Sequence, residues 1–161
     1  MNLLTLCLFL SLSTDSIKTL FKQDFNTNFT EVVIYKEEAI RDTFKGTLTK
    51  KKNSITMTIT YPSKETYRIK NDTLIIENGG KITKEQISDE TLRFLRFEFL
   101  DDTMGYRIET AGNTITVYPK ERDNFNLIRL TIENNTPKKL EIDDDTKNIV
   151  FHFYRWKFFA P

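Results

Sequence analysis

Reactive side chains are scarce in this sequence. Cys7 is its only cysteine and His152 its only histidine. One histidine and one cysteine make a zinc site improbable. A disulfide framework is excluded within one chain. His152 lies between Phe151 and Phe153 with no acidic neighbour in sequence, and no G-x-S-x-G context exists for a serine nucleophile. Glycine is also sparse, at 5 residues. No glycine-rich phosphate loop can be built, and the isolated Asn78-Gly79-Gly80 reads as a turn. Asp143-Asp144-Asp145 lacks the glycine and distal glutamate of an EF-hand and reads as a solvated turn. No charge of one sign dominates. The net charge is +1 with 29% charged residues, which gives no general pull towards nucleic acid or an anionic surface. These absences argue against an enzyme and against a metal or other cofactor.

Long apolar runs are missing too, with one short exception. Leu3 to Leu12 in "MNLLTLCLFLSLST" has the length of a signal-peptide core and is too short to span a bilayer. Ser11, Ser13 and Thr14 follow, where cleavage could fall, although no Lys or Arg precedes Leu3. Residues 1–14 are expected to be a secretory leader, and residues 15–161 a single soluble domain. Cys7 follows Leu6 and not a small residue, so it does not read as a lipid attachment site. Export to the periplasm fits a mature chain without cysteine.

What the sequence does have is alternation. In "FKGTLTKKKNSITMTITYP" the residues Phe44, Leu48, Ile55, Met57, Ile59 and Tyr61 fall on one face, with Thr, Lys and Ser opposite. Similar hairpins follow. One turns at Asn71-Asp72 between Tyr67/Ile69 and Leu74/Ile76, one at Ala111-Gly112-Asn113, and one near Asn134 to Pro137. "KNIVFHFYRWKFF" closes the chain as an aromatic strand. Turns at intervals of roughly ten residues predict an antiparallel meander. Phe44, Tyr61, Phe151 and Phe153 lie opposite the charged faces of their strands, so they read as buried and not as a platform for nucleic-acid bases. Two segments have a helical period. "STDSIKTLFKQ" puts Ile17, Leu20 and Phe21 on one side. "ISDETLRFLRFEFLDD" spaces Leu92, Leu95 and Phe99 as a helix starting near Asp89, although "LRFLRFEF" also alternates in part. With so few glycines to turn its corners, the sheet is not expected to close. Its apolar face must then be covered by helices or filled by a ligand.

Four stretches carry a family resemblance from about Ser16 to Pro161. They are "FKQDFNTNFTEVV", "FKGTLTKKKNSITMTITYPSKETYRIKNDTLI", "YRIETAGNTITVYPKERDNFNLIRLTIEN" and "FHFYRWKFFAP". In order and spacing they resemble the periplasmic outer-membrane lipoprotein carrier protein family, LolA. The resemblance implies a mainly β (α+β) fold, an open antiparallel half-barrel covered by a few short helices acting as a lid. It implies a monomer that binds the acyl chains of lipoproteins. An inner-membrane ABC transporter would release the lipoproteins to it, and an outer-membrane acceptor would receive them, with no cofactor and no reaction. The acyl site would be lined by Ile55, Met57 and Ile59, together with Phe25, Phe29, Leu48, Ile69, Ile76, Leu92, Leu95 and Phe99. A family arginine that latches the lid maps to Lys52, with Lys51 as the neighbouring candidate. The proline that follows it in the family is here Asn53. A lysine offers a point donor without the planar fork of arginine, so a bond to one carbonyl oxygen is expected of it in place of a latch of several bonds. A module for other lipids, or a structural β-domain without a cavity, remains open on the residues alone.

Overall fold

A computed structural model describes residues 14–101, 104–119 and 125–159. The expected leader up to Ser13, and Cys7 with it, lies outside the described residues. Helix α1 (Thr14–Lys22) has Asp15 in its first turn and Lys22 in its last, and it buries Ile17 and Phe21 four residues apart. Strand β1 (Asp24–Tyr35) follows. Five further strands run outward from it as a meander: β2 (Arg41–Lys51), β3 (Ser54–Tyr61), β4 (Glu65–Lys70), β5 (Thr73–Asn78) and β6 (Lys81–Gln86). A second meander comprises β7 (Arg107–Ala111), β8 (Thr114–Tyr118), β9 (Leu127–Glu133), β10 (Thr136–Asp143) and β11 (Lys147–Phe159). Strand β11 pairs with the free side of β1, giving one antiparallel sheet in the order β6-β5-β4-β3-β2-β1-β11-β10-β9-β8-β7. The sheet is open, because β6 and β7 are edges and not partners.

Between the two meanders the chain crosses the concave face. Helix α2 (Asp89–Leu95) begins at Ser88, whose side chain accepts a hydrogen bond from the Thr91 backbone N–H. A single 3-10 turn, Glu98–Leu100, follows and buries Phe99 and Leu100. The segment that mixed two periods is thus helical. Its partial alternation comes from the break between the helices at Phe97, which has left-handed backbone (φ 62°).

Three bulges decide which residues reach the concave face, one of them in β10 between Pro137 and Lys139. At Arg155 (φ 60°) the register of β11 against β1 shifts, so the alternation of β11 changes parity. Phe151 and Phe153 before the bulge, and Trp156 and Phe158 after it, therefore join one aromatic cluster with Phe25 and Phe29. Buried Thr27 stands opposite the bulge and donates its hydroxyl to the Tyr154 carbonyl at 3.1 Å. His152 is exposed on the other face.

The second bulge lies between β2 and β3, where Lys45 pairs with Tyr61 but Gly46 pairs with Ile59. It corrects the simple alternation expected for this hairpin. Ile59 is buried, whereas Tyr61 is 55% exposed and sits beneath the Lys45 ammonium. The bulge also explains Gly46. A Cβ there would collide with the Thr58 carbonyl oxygen and meet the Phe29 ring at 3.0 Å. Gly46→Ala is expected to cost about 1–3 kcal/mol through overpacking. Urea unfolding with unchanged m-value and a lowered midpoint would show it; an unchanged midpoint would contradict this packing.

Candidate functional site

Under α2 and the 3-10 turn lies a cavity of about 260 Å³. Its floor is Phe29 from β1, Leu48 from β2, Ile55 and Met57 from β3, Tyr67 and Ile69 from β4 and Leu74 from β5. Leu140, Ile142, Phe151 and Phe153 supply the opposite wall, and Phe94, Leu95, Phe97 and Phe99 the roof. The only side-chain polar atom in this set is the Tyr67 hydroxyl, which donates to Glu65 at 2.6 Å. That hydrogen bond, helped by burial, pushes the Tyr67 pKa up to about 12. The cavity therefore offers dispersion contacts and no hydrogen-bonding demand.

Of the residues expected to line an acyl site, Phe29, Leu48, Ile55, Met57, Ile69, Leu95 and Phe99 meet around this cavity. Phe25, Ile59 and Leu92 are buried in the adjoining core and do not line it. Ile76 is half-buried one pair further along β5, opposite Tyr67, and is also outside it. The cavity also takes in Tyr67, Leu74, Leu140, Ile142, Phe151 and Phe153, which were not expected to line it, and Phe94 and Phe97, which lie within the Leu92–Phe99 stretch expected to complete it. For Leu140 and Ile142 the alternation of "KKLEI" was the available signal.

The roof is held mainly by rings. Phe97 stacks on Phe21 of α1 with centroids 4.5 Å apart and also meets Phe25 and Phe99. Phe94 meets Phe99 and Phe125. Among the described residues, no backbone–backbone hydrogen bond joins residues 88–101 to a strand of the sheet. The segment is tied at its start by Ile87 N–H to Asp72 O, 2.9 Å.

The lysines of the β2–β3 hairpin divide their work differently from the expectation. Lys52 lies exposed in the turn with left-handed backbone (φ 48°), and its backbone N–H, not its ammonium, donates to Asp24 Oδ1 at 2.7 Å. Lys51 is exposed as well. The side chain that reaches a carbonyl of a covering helix is Lys50, whose Nζ donates to Phe21 O at 2.5 Å. It is only 9% exposed, and burial lowers its pKa, partly offset by Asp24 and Glu98. Lys50 falls on the concave face because it pairs with Phe25 and Ile55.

At the far end of the trough, Glu31 follows Phe29 by one alternation step and pairs with Phe44 and Phe151. Burial raises its pKa, and Lys147 opposes the rise. The folded protein thus holds this proton more tightly than the unfolded chain. The ionised group opposes folding increasingly as pH rises from the unfolded value, near 4.3, through the folded one. Glu31→Gln is expected to be more stable than the native protein at pH 7. The difference should shrink as pH falls through the folded pKa and level off below about pH 4. Thermal melts across this range check it; a difference independent of pH would contradict it.

No family model and no curated protein matches the sequence. Solved structures do match the fold. A LolA superfamily protein from Nitrosomonas europaea superposes with TM-score 0.51 at 12% identity, covering 91% of this chain and 93% of that one. LppX, a Mycobacterium tuberculosis lipoprotein, gives TM-score 0.50 at 10% identity, covering 89% and 93%. The Pseudomonas aeruginosa MucA/MucB complex gives TM-score 0.52 at 12% identity, with 91% of this chain aligned to 57% of that chain. What these likenesses share with the present chain is the architecture: its fold is LolA-like, an open antiparallel half-barrel roofed by short helices.

Proposed function

We propose that the chain binds fatty acyl chains in the cavity beneath α2 and, in the periplasm, carries acylated lipoproteins between membranes. The observation that carries this reading is a cavity walled almost wholly by apolar side chains under a roof that, among the described residues, no backbone–backbone hydrogen bond fastens to a strand. Burial of each methylene contributes ~0.8 kcal/mol, so an acyl chain is a natural occupant. At about 260 Å³ the closed cavity lies just below the ~300–1,000 Å³ of typical ligand sites. A cargo with several chains therefore needs the roof to move outward, and separating those ring contacts offsets part of the gain from burial. That offset keeps binding reversible, as a carrier requires. A transporter that loads the protein and an acceptor that empties it would be its partners. A LolA superfamily member is among the proteins sharing this fold, and residues 1–14 read as an export leader. No helix among the described residues is long and apolar enough to cross a membrane.

The small closed volume also favours a second reading, a module for a lipid with a single chain. Mass spectrometry of ligand copurified with the protein separates the two. A triacylated peptide supports the carrier, and a free lipid supports the module.

Met57 on the floor and Leu95 in the roof both line the cavity and are half-buried, so either can accept a polar replacement without unfolding the sheet. Met57→Glu or Leu95→Glu is expected to weaken binding of a fluorescent fatty acid at least ~10-fold, since a carboxylate in an apolar site costs more than one decade of affinity. Circular dichroism confirms that the variants fold. Folded variants with native affinity would refute the acyl site.

A further inference from the structure

A second cavity, of about 560 Å³, opens beside the first. It lies between the C-terminal turn of α1, the β2–β3 hairpin and the α2 to 3-10 break. Its cationic side chains are Lys18, Lys22, Lys50, Lys52 and Arg96, and its acidic ones are Glu98 and Asp101. The whole protein has a net charge of only +1, so this cleft concentrates positive charge locally. The five cations outnumber the two carboxylates. Glu98 is engaged by Arg93 at 3.3 Å, and nearby Asp24 accepts the Lys52 N–H. Among the described residues, Lys22, Lys52 and Arg96 take part in no ion pair. Lys50 neutralises the Phe21 carbonyl, which would otherwise present partial negative charge at the end of α1.

Phe97 lines both cavities. Its ring rests on Phe21, and its left-handed backbone places it at the break between the two roof helices. One residue thus partitions an apolar compartment from a cationic one. We infer that the basic cleft takes the phosphate ester of a lipid headgroup, while the lipid's acyl chain lies beyond Phe97 in the apolar cavity. Lysine and arginine suit this chemistry because charge-assisted hydrogen bonds to phosphate oxygens are short and strong. The cleft has room for a phosphate together with the glycerol or sugar that bears it. The inference rests on the acyl-binding part of the proposed function and gives the headgroup class for its second reading, the single-chain lipid module, since the acyl anchor of a lipoprotein carries no phosphate ester.

Calorimetric titration of the protein with 1-palmitoylglycerol 3-phosphate, 1-palmitoylglycerol and inorganic phosphate, each below any micelle concentration, tests it. The phosphorylated lipid is expected to bind at least ~10-fold tighter than the neutral one, and inorganic phosphate far more weakly than either. In the folded variant Lys22→Gln/Lys52→Gln/Arg96→Gln the ratio between the two lipids should fall to about one. Equal affinity of the two lipids for the native protein overturns the headgroup site and leaves the acyl cavity standing. Failure of both lipids to bind overturns both readings. Inorganic phosphate binding as tightly as the phosphorylated lipid assigns the cleft to free phosphate and overturns the headgroup assignment. A triple variant that keeps the ten-fold ratio overturns the location.

Discussion

The eleven strands end in two unpaired edges, so the apolar concave face must be shielded by something outside the hydrogen-bonded sheet. Everything else in the molecule answers that constraint. Strand β1 is paired on both sides, and both meanders grow outward from it, which puts its inward residues Phe25 and Phe29 at the deepest part of the trough. The bulge at Arg155 then brings four aromatic residues of β11 onto the same face, where strict alternation would have divided them between two. Glycine at position 46 lets the Phe29 ring lie against the backbone of β2. These devices thicken the apolar layer at the centre of the sheet, where the roof is seated.

The roof is attached by a different kind of interaction from the floor. Ladder hydrogen bonds hold strands together; ring contacts hold α2 and the 3-10 turn down. Each aromatic pair contributes about 0.5–1.5 kcal/mol beyond its buried area, and no buried backbone group loses its partner when a ring slides away. A segment fixed in this way can separate from the sheet without disturbing the strands. Lys50 belongs to the other category. Its hydrogen bond to Phe21 O fastens α1 to the sheet, whereas among the described residues the roof, residues 88–101, has no backbone–backbone bond to a strand.

Much of this was legible in the sequence because alternation reports sheet faces directly. The hairpin turning at Asn71-Asp72, the closing aromatic strand and the helix beginning at Asp89 all lie where their periods put them. The departures have physical causes. Tyr61 was assigned to the inner face by counting in twos, and a bulge at Lys45/Gly46 turns it out. Strand β6, "KITKEQ", was not visible as a strand, because an edge strand exposed at every position carries no apolar signal. Lys50 stands in a run of three lysines at a turn, but it follows Leu48 by two residues and so shares its face; the register, which sets it opposite Phe25 and Ile55, agrees. Phe97 was one ring in a run of rings, and its place between two cavities follows from a backbone conformation that spacing does not encode.

The polar groups at the two ends of the trough differ in sign, and this gives the cavity a direction. Phe25, near the α1 end, and Glu31 are six residues apart on β1, or about 20 Å at strand rise. The α1 end gathers the lysines and Arg96. The other end holds Glu31, acted on by Lys147, and Glu65, which accepts hydrogen bonds from Tyr67 and Asn78. An amphiphile with a negative head is therefore drawn toward one end and opposed at the other, while its chain is indifferent to direction. Apolar burial supplies affinity without orientation. Orientation has to come from charges placed where the chain stops, and in this fold they are placed beside the break in the roof at Phe97.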